Sequence, residues 1–257
     1  PCYSPDGRCL LYALDLDGGE VFDLWLCDLH SGRHTNLTPG TPFSFYFNLD
    51  WSPDGRQIAV IHDEKGRYNT YLVDLDFTEG VVKAGQPRLV FNGSGPHIDL
   101  RWSPAGDRLA VISEAGGQDH AVHIISVRPA FQPDQSRSVI PLSVDGRLAN
   151  CMSICWSPEG DRLAFSTDRT GRYRIGLFDL QDQGTTWLTS GEADCDQPEW
   201  SPDGNRLAYV LSRGPETWLA VQQPGSQDPE LFQVEPGVHF FPRFTPDGEQ
   251  ILFIFDS

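Results

Sequence analysis

A five-residue signature, an aromatic followed by a four-residue turn, recurs six times along this chain, and no other feature limits its fold as strongly. The copies are Tyr3-Ser4-Pro5-Asp6-Gly7, Trp51-Ser52-Pro53-Asp54-Gly55, Trp102-Ser103-Pro104-Ala105-Gly106, Trp156-Ser157-Pro158-Glu159-Gly160, Trp200-Ser201-Pro202-Asp203-Gly204 and Phe244-Thr245-Pro246-Asp247-Gly248. The aromatics lie 48, 51, 54, 44 and 44 positions apart, a period that marks a repeat architecture. Ser suits the first position of a type I turn, Pro pre-sets φ at the second, and Gly takes the left-handed residue that follows. Each signature therefore reads as a tight hairpin turn with a Gly bulge.

Behind each turn comes a strand that is apolar at consecutive positions, such as Ile58-Ala59-Val60-Ile61, Leu109-Ala110-Val111-Ile112 or Leu207-Ala208-Tyr209-Val210. Consecutive apolar positions mean burial on both faces. An antiparallel hairpin, buried on both faces and repeated about every 50 residues, is what a β-propeller blade requires. Each repeat reads as four strands: a, ending at the aromatic; b, after the turn; then c and d. Twenty-five Gly and 20 Pro fit many turns, and no apolar stripe of helical period runs through the chain. The expectation is one all-β domain over residues 1–257, a propeller of four-stranded antiparallel blades with six blades in the intact ring, or seven or eight if further repeats follow. A polar insertion at 128–137 accounts for the longest spacing.

The order aromatic-Ser-Pro-Asp-Gly, Leu163-Ala164-Phe165, Ser166-Thr167-Asp168-Arg169-Thr170-Gly171, Asp179-Leu180 and Leu188-Thr189 resembles the WD40-like PD40 repeat of TolB-type β-propellers. The same repeat occurs in the propellers of prolyl oligopeptidase-like and tricorn-like peptidases. The resemblance spans residues 3–257. Ala105 and Glu159 depart from the turn Asp, Tyr3 and Phe244 stand in for Trp, and the true WD40 signature is absent.

The net charge of −17 argues against phosphate backbones and anionic membranes as partners. No apolar run approaches the length of a membrane span. A basic protein or peptide is the partner class that such a surface favours. Six cysteines (Cys2, Cys9, Cys27, Cys151, Cys155, Cys195) show no Cys-x-x-Cys spacing and read as buried free thiols, which lean toward the cytoplasm. The TolB resemblance points instead to the periplasm or cell envelope.

No catalytic signature is present: there is no Gly-x-Ser-x-Gly elbow, no His-Glu-x-x-His and no phosphate-binding Gly loop. Alignment of the a strands places Tyr46, His97, Cys151, Cys195 and His239 five residues before successive aromatics. In a propeller these would ring a channel mouth. By type His97, Cys151, Cys195 and His239 suit soft metals or zinc, but a ring around a channel does not bring ligands to the 2.0–2.3 Å that zinc needs. No metal or cofactor is expected, and the set reads as a candidate binding rim. The turns between b and c (15–20, 63–67, 115–118, 168–172, 213–215) and the d-to-a loops vary in length and charge. They carry Asp63, Glu64, Asp168, Glu192 and Asp194, a candidate face for a partner.

The resemblance implies a non-catalytic scaffold for protein or peptide binding. It also leaves room for the gating propeller of a serine peptidase, or for a metal-dependent propeller enzyme similar to oligogalacturonate lyases. Strand counting gives repeat 1 only the end of strand a, and repeat 6 only a and b. The expectation is therefore a segment of a longer protein with further blades or domains.

Overall fold

The computed structural model describes residues 2–16, 18, 19, 21–40, 45–63, 66–78, 82–93, 95–114, 119–127, 139–144, 147, 148, 150–226, 228–233 and 237–256. The 128–137 insertion, Glu64 and the 115–118 turn lie outside them. Among the described residues there is no α-helix. The chain forms antiparallel sheets, each built in sequence order.

The first sheet runs β1 (Cys2–Tyr3), β2 (Cys9–Leu14), β3 (Asp23–Asp28), β4 (Arg33–Asn36). In the second, β5 (Phe45–Trp51), β6 (Gln57–Asp63) and β7 (Tyr68–Asp76) are followed by two short strands, β8 (Lys83–Ala84) and β9 (Arg88–Phe91). Both pair with β7. The third sheet has the order β10 (His97–Trp102), β11 (Arg108–Glu114), β12 (His120–Ser126), β13 (Val139–Pro141). A small hairpin, β14 (Ser143–Val144) with β15 (Arg147–Leu148), follows and has no counterpart in the repeat pattern. The fourth sheet holds β16 (Cys151–Trp156), β17 (Arg162–Thr167), β18 (Arg174–Asp179) and β19 (Thr185–Trp187). The fifth holds β20 (Asp194–Trp200), β21 (Leu207–Arg213), β22 (Glu216–Gln222) and β23 (Glu230–Phe232). Last comes the pair β24 (Val238–Phe244) and β25 (Ile251–Asp256).

The turn signature forms the hairpin its residues require. Gly7, Gly55, Gly106, Gly160, Gly204 and Gly248 all adopt φ between 65° and 72°, which a Cβ would strain. The Ser52 hydroxyl donates to Asp54 at 2.6 Å and accepts the Gln57 N–H at 2.9 Å, while Asp54 also caps the Arg56 N–H at 3.0 Å. Ser4, Ser201 and Thr245 repeat this pattern with Asp6, Asp203 and Asp247. These hydrogen bonds hold all four carboxyls below the ordinary range, Asp203 at about 2. Where Ala105 and Glu159 replace the Asp, the serine turns to a carboxylate two residues farther on. Ser103 donates to Asp107 at 3.1 Å and Ser157 to Asp161 at 2.7 Å.

The chain divides into two compact units: residues 1–118 with 123–140, and 119–122 with 141–257. In the first unit, Trp51 packs with Leu11, Leu24 and Leu26 of the first sheet and Ile58, Val60 and Val73 of its own. Trp102 does the same with Ala59, Ile61 and Leu72 of the second sheet. In the second unit Trp200 joins Ala164, Ile175 and Leu177 of the fourth sheet to Leu207 and Tyr209 of the fifth. The four tryptophans Trp51, Trp102, Trp156 and Trp200 are 4–7% exposed. Tyr3, at 65%, is not buried, and Phe244 is half-buried with the Arg206 guanidinium over its ring at 5.4 Å. Each Trp removes about 150–250 Å² from water, so these sheet-to-sheet contacts are where burial contributes most.

Candidate binding clefts

The a strands set the frame for every candidate site. Pairing slips in β20 between Asp196 and Glu199 and in β24 between Phe240 and Arg243. The prolines Pro198 and Pro242 fall within these bulges, where a missing N–H costs no ladder bond. The residues before them, Gln197 and Phe241, take left-handed φ values of 57° and 52°. Both are held there by polar neighbours. The Gln197 N–H donates to Ser153 Oγ at 3.1 Å and to its neighbour Asp196 at 2.7 Å, and the Phe241 N–H donates to Gln197 Oε1 at 2.6 Å. Asp196 in turn accepts the hydroxyls of Ser153 and Ser166 at 2.6 and 2.5 Å. Phe241 is left 55% exposed.

One turn closer to the aromatics, Arg243 donates to Glu199 at 2.6 Å, and Glu199 also lies 3.6 Å from the Cys155 thiol. In the first unit the equivalent position carries Asp50, which accepts the Trp102 N–H at 2.8 Å. Asp50 as a residue keeps some exposure, but its carboxylate is enclosed. Loss of hydration raises it to about 6 against the opposing pull of Arg101 and the Trp102 N–H.

The set expected at a channel mouth is placed differently. Tyr46 belongs to β5, and its side chain lies outside the described residues. His97, Cys151, Cys195 and His239 are 1, 0, 3 and 0% exposed. His97 Nε2 accepts the Gly93 N–H at 3.0 Å, so its Nδ1 carries the proton and donates to Thr70 Oγ1 at 2.8 Å. It stacks on Phe91, and burial followed by the nearby His123 lowers it to about 4. His239 Nδ1 lies 2.9 Å from Thr217 Oγ1, with Phe253 and Phe255 against the ring. Both histidines thus bond a threonine on strand c of the preceding sheet. The physical reason is alternation: five residues before the aromatic, past the bulge, the side chain points into the neighbouring sheet. Burial raises the Cys151 and Cys195 thiols, the latter to about 11. Among the described residues no group of three or more His, Cys, Asp or Glu is placed to hold a metal ion.

The acidic candidates are mostly engaged. Asp63 caps the Gly66 N–H at 2.6 Å, and Asp168 accepts Asn150 Nδ2 at 2.8 Å. Asp194 accepts the Tyr173 N–H at 2.9 Å and lies 3.5 Å from Arg172. Glu192 is exposed, and Glu64 is outside the described residues.

Two clefts open at the loop ends these residues occupy. In the second unit one of about 560 Å³ is lined by Arg172, Glu192, Asp194, Tyr209, Leu211 and Arg213, with Cys195 and Leu188 in its floor. In the first unit one of about 740 Å³ is lined by Arg67, Tyr68, Asn69, Tyr71, Leu89 and Asn92. Each combines a b-to-c turn with the d-to-a loop beside it. A third, of about 540 Å³, lies among the signature turns 4–9 and 53–56. The arginines at the first two clefts escaped the sequence reading, although the signal was there. Asp63-Glu64-Lys65-Gly66-Arg67-Tyr68 and Asp168-Arg169-Thr170-Gly171-Arg172-Tyr173 share one pattern, with Gly66 and Gly171 at φ 78° and 94°.

No family model matches the chain. A curated relative, the uncharacterized protein Atu1656 of Agrobacterium fabrum, is 30% identical over 168 residues, 63% of this chain and 52% of its own length. The chain thus spans about half the length of that relative. Among solved structures, the putative TolB from Agrobacterium tumefaciens aligns with TM-score 0.70 at 19% identity, covering 100% of this chain and 89% of that one. A puromycin-hydrolyzing peptidase of Mycobacterium tuberculosis aligns with TM-score 0.71 at 20% identity, covering 95% of this chain and 40% of that one.

Proposed function

We propose that this chain, on the all-β, TolB-like propeller fold of four-stranded antiparallel sheets, is a non-catalytic scaffold that presents its b-to-c turns and d-to-a loops to a protein or peptide. The observation that carries this reading is the recurrence of the cleft. Each compact unit builds one at the same place in its repeat, from an Asp-x-x-Gly-Arg-Tyr turn and the adjoining loop. Loops on a rigid frame are where binding residues concentrate. The chemistry of the buried groups supports a non-catalytic role. The thiols of Cys2, Cys9, Cys151 and Cys195 are all pushed up by burial, which suppresses the reactive thiolate. His97 is held neutral with both ring nitrogens occupied.

A photo-crosslinking residue placed at Arg67, at Arg213 and, as a control, at Arg56 of a signature turn tests this. With an array of overlapping peptides as bait, cross-links should form at positions 67 and 213 and not at 56. Cross-linking confined to position 56, or turnover of a peptide by the purified chain, would overturn the reading.

A further inference from the structure

The cleft of the second unit is a groove laid along β21. Tyr209, Leu211 and Arg213 are alternate residues on one face of that strand, and Gln222 and Pro229 line the same groove. At about 3.4 Å per residue, the four steps from Tyr209 to Arg213 span about 14 Å. That is the reach of about four residues of extended chain. A cleft of about 560 Å³ is within the usual range for bound ligands of that size.

The floor is apolar and settled. Leu188, Cys195, Tyr209 and Leu211 are at most 6% exposed. Gln222 is fully engaged, taking the Tyr209 hydroxyl at 2.7 Å and donating to the Leu188 and Ser226 carbonyls at 3.0 and 2.6 Å. The floor therefore asks for apolar side chains rather than hydrogen bonds.

The rim is charged with both signs, and its four charges are not equivalent. Arg172 and Asp194 neutralise each other at 3.5 Å, and Asp194 is further tied to the Tyr173 N–H. Arg213 and Glu192 have no ion pair or side-chain hydrogen bond among the described residues. The Arg213 guanidinium is instead steadied 5.8 Å over the Trp218 ring, outside the groove lining. Such stacking fixes a planar fork for a carboxylate at little further entropic cost. What remains for a ligand is one cation and one anion above an apolar floor.

We infer that this groove binds an extended peptide segment in which apolar side chains lie between an acidic and a basic residue. The acidic one faces Arg213 and the basic one faces Glu192. The inference rests on the peptide-binding reading above and gives that site its specificity. It differs from a general attraction for basic partners, because a wholly basic segment meets Arg172 and Arg213, and a wholly acidic one meets Glu192.

Four labelled peptides test it by fluorescence anisotropy on the full chain: Glu-Leu-Leu-Lys, Glu-Leu-Leu-Glu, Lys-Leu-Leu-Lys and Gln-Leu-Leu-Gln, each with blocked ends. The mixed-charge peptide should bind about tenfold tighter than the other three, the size expected for one charge-assisted contact. In Arg213→Glu it should lose that advantage to Lys-Leu-Leu-Lys, and in Glu192→Lys to Glu-Leu-Leu-Glu. Circular dichroism establishes that each variant is folded, and both substitutions are at exposed rim positions. Equal binding of all four peptides, no binding of any, or indifference to both substitutions overturns the groove assignment. If array peptides still cross-link at positions 67 and 213 in that case, the scaffold reading stands without it.

Discussion

Ser157 donates its hydroxyl to Asp161 at 2.7 Å, four residues on, and leaves Glu159 at the usual acceptor position of the turn unused. In the fifth sheet the equivalent Ser201 uses Asp203, two residues on, at 2.5 Å. The same turn is therefore held by a carboxylate at either of two positions. Asp161→Ala should lower stability by about 1 kcal/mol, the usual net value of one hydrogen bond, and Glu159→Ala should leave it nearly unchanged. In the fifth sheet the sensitive residue should be Asp203. Urea midpoints of the three variants check this.

The buried tryptophans should dominate stability. Trp102→Ala removes a side chain 6% exposed from between two sheets and should cost about 3–5 kcal/mol. Trp187→Ala, at a residue 39% exposed, should cost far less. Denaturant unfolding of both variants, compared for unchanged slope, measures the difference.

Gly176 has no room for a side chain. A Cβ there would meet Phe165 Cζ at 2.5 Å and Thr185 Cγ2 at 3.1 Å. Gly176→Ala should destabilise by about 1–3 kcal/mol through overpacking. Phe165→Leu in the same chain should recover part of the loss, a non-additivity that a double-mutant cycle reads directly.

Two buried groups should pull the pH dependence in opposite directions. Asp50, near 6 when folded, holds a proton that the unfolded chain has released near 4. Its contribution is full below the unfolded value and is lost as pH rises from about 4 to about 6. His97, near 4 when folded, stays neutral where the unfolded imidazole, near 6.5, would charge. Its contribution is present above the unfolded value and is lost as pH falls from about 6.5 toward 4. Asp50→Asn should thus gain on the wild type as pH rises through that window, and His97→Gln should gain as it falls. Thermal unfolding from pH 4 to 7.5 separates the two.

The turn signature and the apolar b strands were sufficient to read the sheets, because both are local. Asp54 bonds Ser52 and Arg56, and Ile58 to Ile61 need only be apolar in sequence. The candidate sites depend on what one repeat places against the next. Alignment found His97 and His239 at one position, but the bulge between them and their tryptophan or phenylalanine turns the ring toward Thr70 or Thr217, a relation no spacing records. Likewise, counting acids on the loops left out Arg172, which meets Asp194 only when two sheets are packed together. Strand d of the second repeat was legible as β9, but the extra short β8 beside it on β7 and the β14–β15 hairpin had no repeat counterpart from which to be anticipated.

The split edge of the second sheet has its own consequence. β7 is nine residues long, yet its outer side is covered by β8 and β9, of two and four residues, with Pro87 in the segment between them. A long outermost strand would offer another copy of the chain an unbroken row of donors and acceptors. Two stubs interrupted by a residue that cannot donate offer no such template. Deleting Pro87 and joining the stubs into one regular strand would therefore trade colloidal safety for continuity, and concentrated solutions of that variant are where the exchange would become visible.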